Sequence, residues 1–254
     1  MKRIVICVAM IELFFISSFQ NTCQAEMIGQ WLFEEGPDGT TFLDTSGKGN
    51  NGTLSGDVFW DTDAPPGESW SIYSTSADYE AIVQDNGSTL DITEDFTIEI
   101  CAKVGEGTFA DVISKHHAYG DHDGSWNVAI NREASGSDYL HVSMCAYGNF
   151  TNVDSDVVLM PSGSWFNMAI TYDDSENIAN FYINGEEIGI RTVDWQINDT
   201  IEPLTFGYEP GLDVGMGDGN KIASVTMYNH IIPEPATLSL LALGSIALVR
   251  KRKH

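Results

Sequence analysis

The sequence predicts an all-β domain, two antiparallel sheets packed as a sandwich, with a C-terminal transmembrane helix behind it. Three observations carry that reading. Short stretches of the chain alternate apolar and polar residues with period two. Clusters of Gly, Asp, Asn and Ser interrupt those stretches at short intervals. Between the two termini no segment carries a sustained helical stripe.

The elements follow in chain order. Lys2 and Arg3 open the chain, an apolar run from Ile4 to Phe19 is broken by Glu12, and Cys23-Gln24-Ala25 ends it with a small residue. That is the three-part pattern of a secretory signal, assigned to residues 1–25. In the body, 26–230, alternation marks strands at Phe96–Ile100, Trp126–Ile130, Leu140–Met144 and Phe166–Tyr172. Asn184-Gly185 between apolar runs predicts a hairpin with a type I′ turn, which needs positive φ at both residues. Weaker turn signals lie at Gly36–Gly39, Asp85–Ser88 and Asp173–Ser175. Many short strands with regular turns suit a sandwich of jelly-roll type.

In the segment 231–254, Ala236 to Val249 is apolar and uncharged, and Arg250-Lys251-Arg252-Lys253 follows at once. At a rise of about 1.5 Å per residue that run falls short of a ~30 Å hydrocarbon core; Ile231, Ile232 and Pro233 bring it near a minimal span. The basic cluster would stay cytoplasmic, and the body with its exported front end would lie outside.

Six of the 12 basic residues and two of the 37 acids sit in these terminal segments, so six cations face 35 acids in the body, a net charge of −29. Such a field repels phosphate backbones and excludes nucleic acid as a partner. It favours cations and solubility, and it is also simply what a solvated acidic surface looks like.

Cys7 and Cys23 leave with the signal; Cys101 and Cys145 remain, an even pair in an oxidising compartment. Both fall on the polar faces of their strands. If those strands are neighbours, a bridge would close a loop of about 44 residues and add ~3–4 kcal/mol. Two unpaired, half-buried thiols are the alternative.

Catalytic signatures are missing. A glycoside hydrolase needs two carboxylates flanking the bond, whereas Glu94-Asp95 and Glu186-Glu187 are adjacent pairs that point to opposite faces of an extended chain. There is no Gly-x-Ser-x-Gly elbow, phosphate loop or His-Glu-x-x-His. His116-His117-Ala118-Tyr119-Gly120-Asp121-His122-Asp123 resembles a Zn²⁺ or Cu²⁺ cluster, or an exposed polar loop of variable length. Calcium is better motivated: Asp44, Asn50 and Asn51, bracketed by Gly47, Gly49 and Gly52, offer oxygens in a loop able to wrap an ion, or else form a plain Asx-turn. For sugar binding, Tyr139, His141 and Tyr147 share one strand face, while Trp31, Trp126 and Trp165 read as core aromatics.

Ordered motifs resemble bacterial LamG-like jelly-roll domains of the concanavalin A-like class. They begin with Gln30-Trp31-Leu32-Phe33 and Asp44-Thr45-Ser46-Gly47-Lys48-Gly49-Asn50-Asn51-Gly52. They continue through Phe96-Thr97-Ile98, Val112-Ile113-Ser114-Lys115, Met168-Ala169-Ile170-Thr171-Tyr172 and Phe181-Tyr182-Ile183-Asn184-Gly185, and close at Lys221–Asn229. The resemblance implies a β-sandwich of a class that also hosts glycoside hydrolases, with calcium in loops at one edge and glycan as a ligand; the missing catalytic signatures make the expected domain non-catalytic. Ala223 and Ser224 stand where the family often has acids, and Cys101 where an aromatic is common. Pro233-Glu234-Pro235, the apolar run and the basic end resemble a PEP-CTERM sorting signal. That resemblance implies an exosortase as processing partner in the inner membrane of a Gram-negative cell. The expected function is that of an exported surface or matrix protein binding glycan or another envelope component. A purely structural matrix protein and a polysaccharide hydrolase are the alternatives.

Overall fold

A computed structural model describes residues 25–232, apart from 86, 88, 107–108, 116–125, 135–136, 147–150, 195–196, 198–199, 210–213 and 216–218. Every regular element among the described residues is a strand. The first group is β1 (Met27–Trp31), β2 (Thr41–Phe42), β3 (Gly52–Asp61), β4 (Ser71–Val83), β5 (Phe96–Lys103) and β6 (Phe109–Lys115). Then come β7 (Trp126–Arg132), β8 (Tyr139–Ala146), β9 (Thr151–Asp154), β10 (Val158–Leu159) and β11 (Trp165–Asp173). The chain closes with β12 (Ile178–Ile183), β13 (Glu186–Thr192), β14 (Leu204–Phe206), β15 (Tyr208–Glu209), β16 (Val214–Gly215) and β17 (Lys221–Tyr228).

Each strand expected from alternation is present, in β5, β7, β8 and β11, because one set of side chains reaches the core and the other does not. The hairpin between β12 and β13 turns at Asn184 (φ 51°) and Gly185 (φ 80°), both in the left-handed region that a type I′ turn requires.

Sheet pairing is antiparallel throughout, and it departs from two separate sheets in one respect. The strands hydrogen-bond as one 15-stranded path, β10-β8-β7-β6-β14-β4-β17-β5-β11-β12-β13 with β1, β2, β3 and β9 at its sides, and β15-β16 apart. The reason is β4, far longer than the usual five or six residues. Its start pairs with β17 (Ile72 opposite Ile222) and its end with β14 (Ala81 opposite Phe206). β3 accompanies it along the whole length, with a register shift between Gly56 and Val58 that lets the pair bend from one layer into the other.

The layers meet in an aromatic cluster. Phe206 of β14 packs on Trp31 of β1 with ring centroids 4.9 Å apart, and on Phe33 and Phe42 at 5.6 and 5.7 Å. All four are fully buried, and tilted or edge-on contacts of this kind add to their area burial. Gly52 is required here, since a Cβ at that position would collide with the Phe42 ring.

The pairing expected of Cys101 and Cys145 required neighbouring strands, and the order contradicts that condition. β5 lies between β17 and β11, whereas β8 lies beyond β7, β6, β14 and β4. Cys101 is a free, buried thiol. Burial, with the Glu68 carboxylate nearby, pushes its pKa up to about 12.

Candidate functional site

One row of side chains crosses five strands on the outer face of the β3-β4-β17-β5-β11 layer. Phe59 is directly opposite Tyr73, Tyr73 opposite Lys221, Lys221 opposite Lys103, and Lys103 opposite Trp165. Directly opposed residues of antiparallel strands share a face and lie within side-chain reach of each other. Phe59 is 43% exposed and its ring stands 5.7 Å from that of Tyr73. Lys221 Nζ lies 5.7 Å from the Tyr73 ring centroid, a cation–π distance. The row thus has two aromatics at one end, one at the other and two ammonium groups between.

The end of β3 and the loop after it supply the counter-charges. Asp63 accepts from Lys103 Nζ at 2.7 Å, Lys221 Nζ at 2.8 Å and Trp165 Nε1 at 3.2 Å; Asp61 accepts from Lys221 Nζ at 2.6 Å. The hydrogen bond from Lys103, then that from Lys221, holds the Asp63 carboxyl well below the usual range, burial opposing only in part. Burial works against the charge on Lys221, yet its bonds to Asp61 and Asp63 outweigh it and raise its pKa.

Beside this cluster is an open hollow of about 430 Å³ whose lining includes Asp63, Lys103, Glu106, Gly163 and Lys221. Gly105, also in its wall, is clamped from both sides: its N–H donates to Asn220 Oδ1 at 2.6 Å, and its carbonyl accepts from Arg132 Nε at 2.8 Å. Arg132 also donates to the carbonyls of Val104, Ser137 and Met160, so a buried guanidinium fixes this corner. The hollow is therefore preformed by the fold.

The residues expected to bind calcium do come together. Asp44 Oδ1 accepts from the N–H groups of Gln30 and Ser46, and Oδ2 from that of Asn50. Asn51 Oδ1 accepts from Asp44 N, Asn50 Oδ1 from the Thr89 hydroxyl, and Asn50 Nδ2 donates to Ile28 O. This is the Asx-turn arrangement, with Gly47 and Gly49 at positive φ. The loop is thus closed by its own hydrogen bonds, each side-chain oxygen of the set accepting at least one. Among the described residues no group of three or more His, Cys, Asp or Glu is arranged to hold a metal.

Tyr139 and His141 share a face of β8, as alternation requires. Tyr139 is 53% exposed beside Leu159, its direct partner on β10 and 63% exposed, while His141 Nδ1 is 3.1 Å from Glu133 Oε1. Tyr147, the His116–Asp123 loop, the signal segment 1–24 and Pro233, Glu234 and Pro235 lie outside the described residues, as does the side chain of Cys145. Among the described residues no helix is long and apolar enough to cross a membrane. Trp31 and Trp126 are core aromatics as expected; Trp165 is half-buried and belongs to the row.

Two acids escaped sequence reasoning. Glu99 is opposite Thr226 on the same outer face, and Glu68 reaches Ser224, whose partner across the strands is Cys101. Burial raises the pKa of both, with Glu34 adding to it at Glu68; the bonds from Ser224 and Tyr228 oppose the shift. The row itself was missed because its members span positions 59 to 221. A usable signal was the scarcity of cations: all six in the body are described, and each is held by acids or carbonyls, Lys103 and Lys221 here.

The fold and the sorting tail have counterparts among known proteins. The chain belongs to the concanavalin A-like lectin/glucanase superfamily, whose family model matches residues 74–234. Residues 232–253 match the PEP-CTERM protein-sorting motif, which implies export and processing by the exosortase system of Gram-negative bacteria. No curated protein matches the chain. Among solved structures it is similar to domain 4 of AbnA, an extracellular arabinanase of Geobacillus stearothermophilus, in complex with arabinotriose. The TM-score is 0.60 at 14% identity, covering 82% of this chain and 95% of that one. It is also similar to the serotype D botulinum neurotoxin binding domain, TM-score 0.58 at 15% identity over 87% of this chain and 51% of that one. A third is the botulinum neurotoxin DC binding domain in complex with SialylT, TM-score 0.54 at 17% identity over 82% and 49%. The chain spans about half the length of these toxin domains. At such identities the likeness shows the fold alone.

Proposed function

We propose that this exported domain binds a neutral glycan of the cell surface or matrix on the row Phe59-Tyr73-Lys221-Lys103-Trp165, and that it does no chemistry on it. The observation that carries this reading is the row itself: aromatic rings at both ends, ion-paired donors and acceptors between them, and a preformed hollow alongside. Ring faces suit the apolar faces of sugars, and convergent ammonium and carboxylate groups suit their hydroxyls. Both lysines already answer Asp61 and Asp63, and the body is strongly acidic, so an anionic polysaccharide would be repelled. Glycan-bearing neighbours of the same fold agree with the reading by analogy only.

Orientation supports a surface role. The tail leaves from the end of β17, whereas Lys221 opens that strand, about 24 Å away at ~3.4 Å per residue. A domain still held by its tail would present the row away from the membrane.

The test is a glycan microarray and polysaccharide pull-down with the secreted domain, with and without chelator. Retention of a neutral glycan that is lost in Tyr73→Ala and unaffected by chelator supports the proposal. Retention that needs calcium would revive the Asp44 loop, and no retention at all favours a purely structural matrix protein. A second reading, hydrolysis, is favoured by one observation: Glu68 and Glu99 are raised-pKa carboxylates on one face. Release of reducing sugars that stops in both Glu68→Gln and Glu99→Gln would establish it in place of simple binding.

A further inference from the structure

We infer that residues 229–232 form a strap that must open before the sorting enzyme can take the Pro-Glu-Pro motif. β17 ends at Tyr228, yet the chain stays bound to the domain for four residues more. Asn229 N donates to Glu26 O at 3.1 Å, and Asn229 Oδ1 accepts from Glu26 N at 2.9 Å. Thr97, fully buried near the start of β5, donates its hydroxyl to His230 O at 2.9 Å and accepts from Ile232 N at 2.9 Å. The strap is thus fastened at one end to the first residues of the body and at the other to a central strand.

The sorting motif begins where this fastening ends. Its match starts at residue 232, and Pro233 follows Ile232 with no spacer. Pro233 and Pro235 lack N–H groups and bias the residues before them to extended backbone, so Pro-Glu-Pro is suited to capture as an extended peptide. Capture of an extended peptide uses main-chain groups on both sides of the recognised side chains. On the N-terminal side these groups include Ile232 N–H and His230 C=O, and both are engaged by Thr97. Opening the strap frees them without unfolding the sheets, a local opening of the kind that terminal segments undergo most readily. Apparent affinity of the enzyme for its substrate then scales with the open fraction.

The inference does not depend on what the domain binds. It is tested by following processing of the full-length chain in membranes that contain the exosortase, as loss of the unprocessed band with time. Thr97→Val keeps the buried shape and removes both hydrogen bonds; processing speeds up roughly tenfold, the effect of two such bonds on an opening equilibrium. A flexible insert of about six Gly and Ser residues between Ile232 and Pro233 gives the motif its own reach and speeds processing as well. In the chain carrying that insert, Thr97→Val adds nothing. An unchanged or slower rate in Thr97→Val with an unaltered melting temperature overturns the inference. So does an insert that leaves the rate unchanged, which also decides the matter if Thr97→Val does not fold. Acceleration by Thr97→Val that persists in the insert-bearing chain overturns it too.

Discussion

Replacing Asp63 by Asn separates the electrostatics of the row from its shape. The carboxylate gathers three donors, at 2.7 Å from Lys103, 2.8 Å from Lys221 and 3.2 Å from Trp165 Nε1. Deeply buried charge-assisted bonds contribute about 1.5–3 kcal/mol each and exposed ion pairs about 0.2–1. The Asp63 side chain is 40% exposed, so the lower range applies. Lys221 also keeps Asp61 in the variant. The expected loss is about 1–2 kcal/mol at pH 7, or about 3–6 °C in melting temperature for a domain of this size. The pH dependence has a definite sign. The folded-state pKa of Asp63 is lowered from 3.8, so its contribution is fully present above pH 3.8 and is lost as pH falls below that toward the folded value. Urea unfolding of both proteins at pH 7, 5 and 3 measures it: the gap stays constant from pH 7 to 5 and begins to close at pH 3. Equal stability at pH 7, or a gap that widens on acidification, would refute the reasoning.

Other outcomes follow from single contacts. Lys115, almost fully buried, pairs with Asp85 and Asp91 and donates to Thr200 O, so Lys115→Met leaves two carboxylates uncompensated. Urea unfolding should show a loss of about 3–5 kcal/mol, much of it recovered when Asp85→Asn and Asp91→Asn are added. Phe206→Ala opens the junction of the two layers and is expected to cost about 3–5 kcal/mol, read as a lower urea midpoint with an unchanged slope. The Cys101 thiol, with its pKa pushed up to about 12, should resist alkylation at pH 8 in the native domain and react in urea. Peptide mass spectrometry that finds it alkylated equally fast in both, or bridged to Cys145, contradicts the structure.

Local physics made the strands legible and non-local pairing hid the rest. Phe96-Thr97-Ile98-Glu99-Ile100 announces β5 because a single period decides which side chains face the core. Asn184-Gly185 announces its turn because few other pairs accept positive φ twice. β4 gave weaker notice: Ser74-Thr75-Ser76-Ala77-Asp78 in its middle has no apolar alternation, so the link between layers was invisible. The cysteine pairing failed for a related reason, since strand order is set by packing across the whole chain and not by the faces on which the thiols lie. The Asp44 loop was legible as a cluster because its members are close in sequence. The row was not, because only sheet register brings Phe59, Tyr73, Lys221, Lys103 and Trp165 side by side. Trp165 in particular looks like any core tryptophan until Asp63 is seen beside its Nε1.

Amide chemical-shift mapping of the isotope-labelled domain during titration with a neutral oligosaccharide tests the central claim most directly. The account predicts perturbations centred on Phe59, Tyr73, Lys103, Trp165 and Lys221, and an affinity at least about tenfold weaker in Tyr73→Ala, as loss of an aromatic anchor implies. Shifts centred on Tyr139 and His141, or an unaltered affinity in that variant, would contradict it.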